Sequence, residues 1–201
     1  MKKMCLLIVV LLLSLSTLFA SEVCIGLGGS AARDYLTESG SEQLQVVEAY
    51  KNADFVYGIG PKLDIHYYPF KSFGLGLHTS LDLQFVTAIG ESGYRSHHGD
   101  SSVNLSGGLS YILYFNPTLG LYTDVDLSYT WYSIAKTNEA NIKNYKDFVR
   151  FQEYGVKGSL GFLTQNKNRY FSFGFSYDHH LSSKPLGKFP IGLFVAGGFK
   201  L

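Results

Sequence analysis

Between Phe55 and Trp131 apolar side chains recur at odd positions and small, polar or charged ones at even positions, broken only by short turns and loops. From 73 to 85 one face of a strand carries Phe73, Leu75, Leu77, Thr79, Leu81, Leu83 and Phe85, and the other carries Gly74, Gly76, His78, Ser80, Asp82 and Gln84. That run is about thirteen residues long, whereas ordinary strands have roughly five or six and a tilted strand needs about nine to eleven to cross a bilayer. Length and pattern together predict a membrane-spanning β-barrel.

Breaking the pattern at turn signals gives strands near 22–30, 55–68, 73–87, 102–115, 119–132, 152–163, 170–181 and 190–201. The connections 69–72, 116–118 and 164–169 are tight, while 31–54, 88–101, 133–151 and 182–189 are longer. Barrels of the bacterial outer membrane have short periplasmic turns and longer external loops, so both termini are expected in the periplasm. The expected fold class is all-β, an eight-stranded antiparallel up-and-down transmembrane β-barrel spanning residues 21–201.

The face taken as outward holds Val23, Ile25, Leu27, Tyr57, Ile59, Leu63, Ile65, Leu105, Leu109, Leu113, Leu121, Val125, Leu127, Val156, Leu160, Phe173, Phe175, Ile191, Leu193 and Val195, with no charged side chain among them. Lys62, Asp64, Asp82, Asp124, Asp126, Glu153, Lys157, Asp178 and Lys200 all fall on the opposite face. A basic residue at mid-membrane on the lipid side costs about 2–4 kcal/mol, which explains the exclusion. Outward aromatics sort by depth into Phe55, Tyr57, Phe85, Tyr129, Trp131, Tyr154 and Tyr177 at the loop ends and Tyr67, Phe73, Phe115, Phe162, Phe171 and Phe199 at the turn ends. Two such girdles match the amphipathic preference of aromatic rings for the headgroup level. A soluble ligand-carrying barrel shares the strand count but turns its apolar face inward.

Ahead of the strands, Met1-Lys2-Lys3-Met4 precedes an apolar run over 5–18 and then Leu18-Phe19-Ala20 before Ser21. This reads as a cleaved secretory signal ending at Ala20, hence export through the Sec pathway. Cleavage would leave Cys24 as the only cysteine, so no intrachain disulfide is expected. With 17 basic and 16 acidic residues, a net charge of +1 and no basic block, nucleic-acid binding has no support. No cofactor is expected.

Taken together, the chain resembles the small eight-stranded outer-membrane barrels of the OmpA/OmpX type. In that resemblance Ile191, Leu193, Val195, Phe199 and Leu201 stand as the C-terminal alternating signal read by the barrel-assembly machinery, with Leu201 where the family usually has an aromatic residue. It implies outer-membrane lipids as surroundings and leaves loops 31–54 and 133–151 to contact an extracellular ligand.

The inward groups Lys62, Asp64, His66, His78, Asp82, Asp124, Asp126, Glu153, Lys157, Asp178, His180 and Lys200 form either a packed structural network or an ion path. Eight strands enclose a lumen that side chains can fill, and a lone buried charge is costly, so the packed network is expected. His180-Leu181-Ser182-Ser183 is similar to the His-x-Ser-Asn motif of lipid A 3-O-deacylase barrels, which implies His180 and Ser182 as an alternative catalytic pair. Ser183 replaces the Asn, no acid follows Asp178, and both side chains fall on the inward face. His97-His98-Gly99-Asp100 lacks metal-site spacing, and no metal is expected there. Pro61 deletes a ladder donor inside a strand, which predicts a bulge or a lateral gap. The leading functional reading is a non-enzymatic barrel serving surface contact or membrane integrity, and the alternative is a lipid A deacylase.

Overall fold

The computed structural model describes residues 22–37, 53–70, 73–90, 93–95, 100–135, 148–183, 185–187 and 190–201. Its long strands are β1 (Glu22–Tyr35), β2 (Ala53–Phe70), β3 (Leu75–Gly90), β5 (Ser101–Asn116), β6 (Leu119–Ala135), β7 (Phe148–Gln165), β8 (Arg169–His180) and β9 (Ile191–Lys200), with a three-residue β4 (Gly93–Arg95) after β3. Each long strand pairs antiparallel with its neighbours. The chain order is kept around the sheet, β9 pairs with β1, and β2 pairs with β3, so the long strands close an eight-stranded up-and-down barrel. Closure leaves no unpaired edge along the long strands, which is what a strand structure needs in a medium that cannot hydrogen-bond.

Side-chain parity follows the sequence pattern. In β6, Val125 and Leu127 are exposed while Asp124, Asp126 and Ser128 between them are buried. Exposed Leu105, Leu109, Leu113, Phe173, Phe175, Leu193 and Val195 continue the same exterior band. Phe85, Trp131, Tyr154 and Tyr177 bound it at the loop ends, and Phe73, Phe115, Phe162, Phe171 and Phe199 bound it at the turn ends.

The turns follow from their local chemistry. Asn116 Oδ1 accepts from Thr118 N and Leu119 N, both at 2.9 Å, closing the β5–β6 turn. Gly74, ahead of β3, has φ +66°, and a Cβ there would strike the Ile112 carbonyl oxygen, so glycine is required on both counts.

The strands reach further than the sequence pattern indicates, chiefly at the loop ends. β1 extends to Tyr35, β6 to Ala135 and β7 begins at Phe148, so strand reaches into both segments predicted as connections, 31–54 and 133–151. Backbone pairing outlasts side-chain alternation there, as Ala31 and Ala32 stay in register with Ile59 and Gly58. Pro61 produces no bulge. Ile59 faces Phe85 and Lys62 faces Asp82 in one unbroken register, with the ladder skipping only Gly60 and Pro61. The lost donor costs two rungs and no residue is inserted. Residues 1–20, His97 and His98 lie outside the described residues.

Candidate functional site

The interior is built in layers along the barrel axis. At the turn end, Cys24, Tyr68, Ile112, Tyr122, Leu163, Tyr170 and Phe194 pack as one apolar cluster. Glycines on the inward face make room for the rings, since a Cβ at Gly26 would strike the Tyr170 hydroxyl and one at Gly76 the Tyr68 ring. Beside this cluster Lys200 Nζ lies 3.5 Å from Glu22, and Tyr114 Oη donates to Glu22 Oε1 at 3.0 Å.

Above the rings lies an ionic layer. Asp64 sits 3.1 Å from Lys62 Nζ, 3.3 Å from His66 Nδ1 and 3.1 Å from His78 Nε2. The outer nitrogens of the two imidazoles point away from Asp64: His66 Nε2 lies 3.3 Å from Asp124 and His78 Nδ1 2.6 Å from Asp126. Serines also hold these two carboxylates, Ser110 donating to Asp124 at 2.6 Å and Ser106 to Asp126 at 3.4 Å. The rings of His66 and His78 stack at 4.5 Å, and Tyr122 meets His66 edge-on at 5.0 Å. Next to this group Lys157 Nζ donates to Asp82 at 3.0 Å and to Asn104 at 3.2 Å. All of the carboxylates and both imidazoles are buried. Strand parity alone delivers them, because each lies at an inward position of β2, β3, β6 or β7.

Nearer the loops a small cavity of about 70 Å³ touches Lys62, Asp82, Asn104, Lys157, Asp178 and His180. Ser128 donates to Asp178 at 2.7 Å. His180 stands between two acids, with Nε2 at 3.3 Å from Asp34 and Nδ1 at 3.5 Å from Glu153. Over this layer Leu186 folds in against Val56, Val86 and Ile134, and its backbone N–H donates to Glu153 Oε1.

His180 and Ser182, the alternative catalytic pair, take separate partners. Both nitrogens of His180 face carboxylates, and Ser182 Oγ accepts instead from Tyr154 N at 3.1 Å on the neighbouring strand. The acids that orient His180 come from β1 and β7, earlier in the chain, where a search downstream of Asp178 cannot find them. Asp34, Asp100 and Glu22 are inward acids absent from the sequence-based set. Glu22 shares the even parity of Cys24 and Gly26, a usable signal, whereas Asp34 lies beyond the weakly alternating Ser30, Ala31 and Ala32, and Asp100 precedes β5, where its role in accepting from Ala135 N at 2.7 Å has none.

On the outside, Arg33 lies over the rings of Phe55 and Tyr35 at 4.3 and 4.5 Å at the loop end of β1, and Arg150 in β7 and Arg169 at the turn end of β8 are exposed as well. Ile191, Leu193, Val195, Phe199 and Leu201 are all exposed on the outer surface of the terminal strand.

A closed eight-stranded barrel with an apolar outside, aromatic girdles and a filled polar inside defines a small transmembrane β-barrel. The fold is that of the small outer-membrane barrels. Neisserial surface protein A superimposes with a TM-score of 0.57 at 10% identity, over 89% of this chain and 96% of that one. The outer membrane protein OprG from Pseudomonas aeruginosa gives 0.54 at 13% identity, over 90% and 96%. Ail, the attachment invasion locus protein of Yersinia pestis, gives 0.51 at 13% identity, over 90% and 99%. At these identities the likeness is one of fold. No family profile matches the chain, and no curated protein is similar to it in sequence.

Proposed function

We propose that the chain is exported through the Sec pathway, loses residues 1–20 and resides in the bacterial outer membrane with both termini in the periplasm. There it acts as a non-enzymatic barrel whose loop-end face, segments 36–52 and 136–147, contacts a ligand outside the cell or supports the integrity of the membrane. The exterior row Ile191, Leu193, Val195, Phe199 and Leu201 is the signal offered to the barrel-assembly machinery. The observation that supports the reading is the interior, where aromatic, ionic and apolar layers follow one another among the described residues. Such a barrel serves its membrane through its outer surface and its loops. Ail has been solved with the heparin analogue sucrose octasulfate, and a contact role of that general kind suits a barrel with a filled lumen. The deacylase reading gains nothing from the geometry, because His180 is committed to Asp34 and Glu153.

The reading is tested on barrel purified from the outer-membrane fraction and inserted in planar bilayers. It is expected to be silent or to give only rare, small events. A stable, large single-channel current would overturn the filled lumen and with it the contact role.

A further inference from the structure

Independently of that role, we propose that Asp64, His66 and His78 form a binding site for one divalent transition-metal ion of the Zn²⁺ type, buried in the lumen. Ligand atoms from these three residues lie within 4.8 Å of one another. Two four-coordinate ligands, each about 2.0–2.1 Å from zinc, are about 3.3–3.4 Å apart. Asp64 Oδ2 and His66 Nδ1 are 3.3 Å apart, and Asp64 Oδ1 and His78 Nε2 are 3.1 Å apart. The first of these is an ion-pair contact: His66 Nδ1 and Asp64 Oδ2 are both buried with no aligned hydrogen-bond partner, which leaves them free to turn onto a shared ion.

The outer nitrogens give a second observation. A metal-bound imidazole almost always donates its other N–H to a carboxylate or carbonyl, which fixes the ring and raises its basicity. Here His66 Nε2 meets Asp124 at 3.3 Å and His78 Nδ1 meets Asp126 at 2.6 Å, and those acids are in turn held by Ser110 and Ser106. Both supports are therefore built, on the side of each ring facing away from Asp64.

Charge supplies the third. Asp64, Asp82, Asp124 and Asp126 face Lys62 and Lys157, so with neutral imidazoles this layer is short of two positive charges. One divalent cation makes up the difference. Lys62 holds Asp64 Oδ1 at 3.1 Å and has Asp82 at 3.9 Å as its other partner, so it can turn toward Asp82 as the ion arrives. The 70 Å³ cavity that touches Lys62 and Asp82 is large enough for water and lies at the loop-side edge of the layer. Two nitrogens and a carboxylate suit Zn²⁺ in preference to Ca²⁺ or Mg²⁺, which take oxygen ligands.

The test titrates detergent-folded barrel with Zn²⁺ and, as a spectroscopic probe, with Co²⁺. One ion per chain and a four-coordinate Co²⁺ spectrum are expected. His66→Gln and His78→Gln should each abolish the one-per-chain binding, and Asp126→Asn should weaken it about 10–100-fold. A variant with His97, His98 and His179 all changed to Ala should bind as the parent does. No stoichiometric binding by the parent, or binding lost in the triple variant and kept in His66→Gln, would overturn the site. Should the lumen variants fail to fold, X-ray absorption of the Zn²⁺-loaded parent decides, with two imidazoles at the metal expected and fewer than two contradicting the proposal.

Discussion

Lys157→Met is expected to lower the stability of the folded barrel by about 3 kcal/mol, the lower end of the range for a buried ion pair that loses one member. Methionine keeps much of the length and apolar stem of lysine, so the change removes chiefly the charge. Lys157 Nζ lies 3.0 Å from Asp82 and 3.2 Å from Asn104, and its loss leaves Lys62, at the longer distance of 3.9 Å, as the cation facing Asp82 among the described residues. That remaining partner keeps the penalty from reaching the upper end. Adding Asp82→Leu to Lys157→Met should recover much of the loss, because removing both members of a pair leaves no buried charge unmatched. Urea midpoints of detergent-folded parent, single and double variants make the comparison. A single variant as stable as the parent would show that the lumen charges are solvated and not paired.

Leu127→Arg is expected to impair assembly far more than Thr137→Arg in the neighbouring connection. Leu127 lies midway along β6, 72% exposed on the outer surface, between Val125 and Tyr129 on the same face. An arginine at the bilayer midplane costs about 2–4 kcal/mol, whereas one in a connection beyond the strand ends costs little. The amount of each variant in the outer-membrane fraction gives the readout. Equal accumulation would remove the lipid-facing assignment of the apolar band.

Most of the barrel was legible in the sequence because strand parity obeys a single rule over long runs. Wherever the outward face reads Phe73, Leu75, Leu77 and the inward face reads Gly74, Gly76, His78, the two environments differ so much that a slip of one residue would bury apolar groups among charges and expose charges to lipid. That rule placed the members of the ionic layer on the inward face, but it could not say which of them meet. The contacts of His66 with Asp64 and Asp124 depend on which strands lie across the lumen, and register alone decides that. At the loop ends the rule fails. Val56, Val86, Ile134 and Leu186 are apolar and inward, because there the interior is closed by a hydrophobic plug and not by ion pairs. Ser30, Ala31 and Ala32 alternate too weakly to mark a strand, yet their backbones stay paired on both sides of β1. Asp34 was hidden for the same reason, and with it the partner that holds His180 Nε2.

The central claim is that the apolar face of each strand meets lipid and the charged face lines the lumen. A nitroxide scan of single cysteines over residues 121–131, in barrel with Cys24 replaced by Ser and reconstituted in lipid bilayers, tests it most directly. Labels at 121, 123, 125, 127, 129 and 131 are expected to be accessible to oxygen dissolved in the bilayer, and those at the even positions shielded from it, giving a period of two along β6. Odd positions reached instead by a water-soluble nickel complex would place the apolar face outside the membrane and contradict the account.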